Sequence, residues 1–494
     1  MNQRIRHLTV VLLILFGALF VTLSNWQVRD QHSLYVDPRN NRQELRSFDS
    51  PRGPVLTADG VTVARTVRVD TALHPNDRFT WQREYPEGAL FANVVGYYTY
   101  GFGSTQVERQ WDEVLSGRTA LQQLDSRPQG SVHLTLRADL QRTAAKALAG
   151  REGSAVVLDI RTGAVMAMYS NPTFDPNVVA GHDTGAANSY LQELLDDPEK
   201  PLLANAYQER YMPGSTFKII TTTIGLQSGV MTEASVFEDS RSWTPPDTKK
   251  PIRNYGKKVC GGDLAEVFRR SCNIPFAQTA VTVGPDRFVN GVNGFGFDEK
   301  LPFDLPGAAW STFGGTAKDF ADSLALLAIH GFGQGQVQVV PLHMAMIAAT
   351  VANGGVMMKP YAVESTRTGT GAVITQTSPQ AWKQPMDAAT ASRLNQLMVG
   401  VARTGTASCC LKLANGVQAA AKTGTAQLNP EGQKQRSHAW ITAFAPAEAP
   451  RYAVAVMLKG VNDTISAGTG GRLAGPVAKV LLDKALAIPQ APAP

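Results

Sequence analysis

Residues 8–23 form one uninterrupted apolar run without a charged side chain. Arg4 and Arg6 precede it and Trp26 follows, so the pattern predicts a membrane-spanning helix over residues 8–25, with 24–28 reaching into the headgroups. A cleaved leader is the rival reading, but no Ala-x-Ala follows and only Thr22 and Ser24 offer small side chains near its end. The basic flank predicts residues 1–7 in the cytoplasm and the remainder outside. Residues 26–150 are polar and turn-rich, with short alternating runs such as 61–64 and a helix from Val107 to about Gly117. They predict a small α+β pedestal without chemistry of its own, its Asp and Glu residues forming a solvated face.

The pattern changes near Gly130. Residues 132–136 alternate like a strand, 139–148 have a helical period, and 154–169 form a hairpin turning at 159–163. A second hairpin pairs 439–445 with 452–458, and helical periods fill the interval at 215–226, 265–280, 317–329 and 341–352. Strands at both ends with helices between predict an α+β domain over 151–486, in which the two chain ends close one sheet. Residues 487–494, rich in Ala and Pro, read as a disordered tail.

A length of 494 residues allows two or three domains. The net charge of +6 raises the question of nucleic acid. The basic residues, however, are scattered pairs (Lys249-Lys250, Lys257-Lys258, Arg269-Arg270) without a long run or interleaved aromatics, which argues against it. All four cysteines, Cys260, Cys272, Cys409 and Cys410, lie in the outer portion, where disulfides persist. Three connectivities are open. Proximity favours Cys260–Cys272, which would tether the loop ahead of Ser271 and leave Cys409 and Cys410 as free thiols or a vicinal bridge. Neither Cys-x-x-Cys nor a His at zinc spacing occurs, so no metal or cofactor is expected. The glycine-rich 331–336 lacks a third correctly spaced glycine and a preceding strand, and reads as a loop.

One Ser has Lys three residues downstream, Ser215 with Lys218; one Ser-x-Asn follows, Ser271-Cys272-Asn273, and one Lys-Thr-Gly, Lys422-Thr423-Gly424-Thr425. By average usage Ser-x-x-Lys and Ser-x-Asn are each expected roughly once in such a chain, so alone each is an N-cap or a turn; the ordered set carries the signal. Pro213-Gly214 puts Ser215 at a helix start, and helical spacing brings Lys218 to its face. A serine needs a base, and lysine serves only when desolvation or a second cation such as Lys422 holds it neutral. Ser271 and Asn273 supply a relay hydroxyl and an orienting amide. Lys422, Thr423 and Thr425 make a carboxylate cradle, Gly424 admits close approach, and the N–H groups of Ser215 and Thr425 suit an oxyanion.

These motifs resemble those of class B penicillin-binding proteins. Arg52-Gly53, Asp175-Pro176-Asn177 and Asn353-Gly354-Gly355 with Pro360 extend the resemblance along the chain, which looks most like the short penicillin-binding protein A group of actinomycetes. The resemblance implies a serine transpeptidase domain of β-lactamase-like α+β fold. It implies peptidoglycan D,D-transpeptidation with Ser215 as nucleophile, Lys218 as base, Ser271 as relay and Lys422, Thr423 and Thr425 as clamp, and acylation by β-lactams. It also implies stem-peptide substrates, with a polytopic membrane glycan polymerase and division or elongation proteins as partners. A D,D-carboxypeptidase or β-lactamase, with water as acceptor, would use the same residues; a non-enzymatic penicillin-binding scaffold is the third reading. The full-length protein is expected to partition with membranes, and deletion of residues 1–25 to release a soluble chain that still binds penicillin. Fractionation checks this, and a mature chain beginning near Asn25 free in the medium contradicts it.

Overall fold

The strands expected at the two ends of the larger domain meet in one sheet. The computed structural model describes residues 3–24, 47–70, 72, 75, 77–122, 127–430 and 432–489. In chain order the larger domain is built from α1 (Ala138–Leu148), β1 (Gly153–Asp159), β2 (Val165–Asn171), α2 (Lys218–Gln227), α3 (Leu264–Arg270) and α4 (Ile274–Val283). It continues with α5 (Pro341–Ala352), α6 (Ala388–Thr404), β3 (Ala420–Gln427), β4 (Ser437–Ala445), β5 (Tyr452–Leu458) and α7 (Gly475–Leu486), with shorter pieces between. The five strands are antiparallel in the order β3-β4-β5-β1-β2, so β3 is an edge. Every residue of β4 and β5 is buried, as continuous Ala- and Val-rich strands require when both faces are covered. α5, buried along nearly its whole length, packs on β1, β4 and β5, and Thr442 Oγ1 donates to Met344 O within it at 3.2 Å. α7 packs on β4 and β5 and against α1, which also lies on β2.

Three predicted helices are broken, and a fourth is continuous but changes its winding. The 265–280 segment splits into α3 and α4, with Ser271 at φ +61° between them and Pro275 in the first turn of α4, where a missing N–H costs nothing. The 317–329 segment splits at Ser323, whose side chain accepts from Leu326 N. The 215–226 segment opens with a 3₁₀ turn, Gly214–Phe217, before α2. The 107–117 segment divides at Trp111 into Gln106–Gln110 and Asp112–Leu115. Hydrophobic periodicity continues across all of these breaks, so it gave no warning of them.

The pedestal sheet has six strands in the order Val373–Gln376, Val363–Arg367, Ser131–Leu134, Val55–Leu56, Thr62–Arg68, Trp81–Glu84. Its first two come from the chain beyond α5, so the large domain returns to complete the small one. Asn177 ties the two together, accepting from Tyr85 N at 2.8 Å and donating to Tyr85 O at 3.0 Å. Glu108 overturns the expectation of a solvated acidic face. It is fully buried, receives Arg52 Nη2 at 2.9 Å and Arg83 Nε at 2.7 Å, and Tyr85 donates to it. Arg52 also reaches Asp112 at 2.6 Å and lies over the Tyr98 ring. Burial pushes the Glu108 carboxyl up, but Arg83 and Arg52 outweigh it and hold the group below the usual carboxylate range.

The N-terminal helix Gln3–Ser24 is, among the described residues, the one long and apolar enough to cross a membrane. At about 1.5 Å per residue its 22 residues match a bilayer core. Trp26 and residues 490–494 of the expected 487–494 tail lie outside the described residues, whereas Ile488 packs against the core and its carbonyl accepts from Arg451 Nη2 at 3.3 Å, so the chain is ordered past 487.

Glu108→Ala leaves two buried guanidinium groups without their shared carboxylate and is expected to cost about 3–5 kcal/mol. Chemical denaturation of the variant against the parent checks this; a change below ~1 kcal/mol contradicts it.

Candidate active site

The turn that carries Ser215 is held from two sides. Gly214, at φ +54°, has its N–H bonded to Gly333 O at 2.9 Å, and a Cβ built on it would meet Thr425 O at 2.7 Å. From the other side, a Cβ on Gly424 would meet Pro213 O at 2.7 Å. In the structure, therefore, the bare Gly424 admits the protein's own turn, which packs flush against edge strand β3. Trp440 Nε1, from fully buried Trp440 on β4, donates to Met212 O at 3.0 Å and closes the same corner.

Lys218 is completely buried on the first turn of α2 and points across to the α3–α4 junction. Its Nζ donates to Ser271 O at 2.9 Å and Asn273 Oδ1 at 2.8 Å, with Ser271 Oγ at 3.4 Å. Lys422, equally buried on β3, donates to the same Ser271 Oγ at 2.8 Å and to Thr423 O at 3.1 Å. The two amines thus converge on one hydroxyl. Phe276 lies 5.1 Å from Lys218 Nζ and Phe268 5.5 Å from Lys422 Nζ, which places rings where water would otherwise solvate the charges. Burial, and after it the charge of Lys422, pushes Lys218 well below the ordinary lysine range. Burial takes Lys422 down to about 7.

Above this pair a cavity of about 330 Å³ is lined by Ser215, Ser271, Asn273, Thr423 and Thr425. All eight sequence-derived residues therefore come together: five line the cavity, Lys218 and Lys422 lie beneath it, and Gly424 backs it. Ser215 is half-buried, and among the described residues its hydroxyl has no hydrogen-bond partner. Lys218 is engaged with Ser271 and Asn273, so in this state its contact is with the relay pair.

Sequence reasoning missed the supports. Asn254, buried, accepts from Asn273 N at 2.8 Å and Ile274 N at 3.2 Å, fixing the start of α4. Thr406 shares a 2.6 Å hydroxyl contact with Thr423. Phe332 and Gln334 come from the loop set aside as chemically inert; both line the cavity, and the Gln334 amide pairs with the backbone of Gln427 at the end of β3. None carries a local pattern; each acts through contacts more than ten residues away. The expected Cys260–Cys272 disulfide is present, with a Cα separation of 5.7 Å, and anchors the segment between Lys218's two acceptors. Cys409 and Cys410 form the vicinal bridge, and Cys409 reaches the cavity wall.

The penicillin-binding protein transpeptidase domain family matches residues 153–483. The peptidoglycan D,D-transpeptidase PbpA of Mycolicibacterium smegmatis is 35% identical over 98% of this chain and 99% of its own length. The chain belongs to the penicillin-binding protein transpeptidase family. A penicillin-binding protein A dimerisation domain matches residues 52–128, within the pedestal. PbpA of Mycobacterium tuberculosis is 34% identical over 98% of this chain and 99% of its own. Penicillin-binding protein A from M. tuberculosis, solved as a ceftriaxone acyl-enzyme complex, superposes with a TM-score of 0.81 at 32% identity. That superposition covers 90% of this chain and all of the other. Its penicillin G acyl-enzyme complex superposes at 0.79 and 33%, covering 88% of this chain and all of that one.

The position of Lys422 in this penicillin-binding protein has a pH signature. Its folded form titrates near 7 and the unfolded chain near 10.5, so between these the unfolded state holds more protons and stability rises with pH. Below about 7 the full cost of burying the charge is present. Lys422→Met is therefore expected to raise the unfolding temperature at pH 6, with the gain shrinking toward pH 10. Thermal unfolding at the two pH values checks this; an equal change at both contradicts it.

Proposed function

We propose that the protein is a peptidoglycan D,D-transpeptidase working through an acyl-enzyme on Ser215. The observation that carries the reading is the pair of buried lysines sharing the Ser271 hydroxyl directly beneath the cavity that exposes Ser215. A neutral Lys218 takes the Ser215 proton as Oγ bonds to the carbonyl carbon of the penultimate D-Ala. The N–H groups of Ser215 and Thr425 receive the oxyanion. The C–N bond breaks, a proton passes through Ser271 to the departing amine, and terminal D-Ala leaves. An amine from a neighbouring stem then attacks the ester, forms the cross-link and returns the proton to Ser215. Lys422 with Thr423 and Thr425 holds the terminal carboxylate. A β-lactam follows the first half, its ring amide replacing the D-Ala-D-Ala bond, and Ser215 keeps the acyl group.

The N-terminal helix fits a single-pass membrane protein. Arg4 and Arg6 favour a cytoplasmic N-terminus with the catalytic domain outside. There the helix and pedestal meet a polytopic glycan polymerase that supplies the strands to be joined.

Ser215→Ala is expected to abolish covalent labelling by fluorescent penicillin, and Lys218→Ala to slow it about a thousandfold. Labelling of Ser215→Ala at the parental rate contradicts the assignment. Mass spectrometry of full-length protein in detergent, given a stem-peptide donor and an amine acceptor, separates the outcomes. Cross-linked product supports transpeptidation, hydrolysed product a carboxypeptidase, and a stalled acyl-enzyme a scaffold.

A further inference from the structure

The cavity wall carries two arginines, Arg270 and Arg472, and no carboxylate. Arg270 is engaged: its Nη2 donates to Val259 O at 2.9 Å and its Nη1 lies 3.6 Å from Glu266. Arg472 has no hydrogen-bond, ion-pair or ring partner among the described residues and is exposed. Its backbone, by contrast, is clamped. A Cβ on Gly470 would meet Trp440 O at 2.0 Å and Gly424 O at 2.4 Å; one on Gly471 would meet Thr406 O at 2.1 Å and Thr423 Cγ2 at 3.5 Å. Gly470 N also points to Thr425 Oγ1 at 3.5 Å. The turn is thus pressed onto the strand that bears Thr423 and Thr425, and exposed Arg472 lines the cavity beside it.

That position has a chemical meaning if the acyl-transfer reading holds, on which this inference rests. On that reading Thr423 and Thr425, which hold the terminal carboxylate, mark the side from which D-Ala departs. The acceptor must deliver its amine through the space D-Ala vacates. D-Ala is an amine with a carboxylate on the same carbon. We propose that Arg472 is a specificity-determining residue for the acceptor, selecting an amine flanked by an α-carboxylate over an isolated or amidated amine. A guanidinium offers a carboxylate two parallel N–H donors, which an amide cannot accept in the same way. A site built around such a pair rejects the analogue lacking it.

The test uses full-length protein in detergent, a benzoyl-D-alanyl thioester as acyl donor, and D-alanine competing with D-alaninamide at equal concentrations of free amine. Mass spectrometry reads the product ratio. The parent is expected to favour D-alanine about tenfold, from the ordinary worth of a charge-assisted pair. R472Q should lower the ratio, with the Lys422, Thr423 and Thr425 clamp keeping the rest; R472K should restore part of the loss, and R472E should lower the ratio further. An unchanged ratio in R472Q and R472E overturns the inference while transpeptidation stands. Hydrolysis alone, with neither amine incorporated by the parent, overturns the transpeptidase reading and the inference with it.

Discussion

Taking an amine out of water costs several kcal/mol unless it loses its charge or finds a full set of acceptors, and this domain buries two of them against one serine hydroxyl. Lys218 sits on α2, Lys422 on β3 and Ser271 at the α3–α4 junction, so three separate pieces of chain must arrive in register before either lysine is compensated. Much of the architecture serves that meeting. The left-handed conformation of Ser271 turns its side chain between the lysines, the Cys260–Cys272 bond fixes the adjoining loop, and Asn254 holds the start of α4. Burial, and after it the charge of Lys422, is also what pushes Lys218 well below the ordinary lysine range. Stability is spent where chemistry is needed.

The pedestal repeats the theme with opposite consequence. Glu108 is flanked by Arg52 and Arg83, so its charge is satisfied within the fold and has no group left to react. Two strands from beyond α5 extend the pedestal sheet, and Asn177 binds the Tyr85 backbone at both its polar groups. Such an arrangement transmits position more readily than it permits independent movement of the two domains.

Much of this was legible in the chain. The α5 bounds matched because Pro341 opens it and apolar residues fill it. Both hairpins declared themselves by short apolar runs around turn residues, and the three motifs named eight residues that the fold gathers at one cavity. The failures share a cause. The helix breaks at Ser271, Ser323 and Trp111 follow from tertiary demands that leave hydrophobic periodicity untouched. Glu108 looked like surface because an acidic residue on a short helix usually is, and nothing nearby announced Arg83 coming from another strand. Asn254, Thr406 and Gln334 act through backbone or hydroxyl contacts across the fold, where local pattern has no reach.

The mutual contact of the Ser215 turn with β3 bears on how such a protein can evolve under drug pressure. A side chain at Gly214 or Gly424 would collide with backbone, at 2.7 Å in each case, so neither position can acquire bulk without parting the Ser215 turn from β3. Inhibitor and natural substrate lean on the same immovable corner. Escape by substitution is left to the rim, where Tyr255 lines the cavity and faces solvent. There, altered contacts weaken the antibiotic's outlying groups without touching the chemistry it imitates.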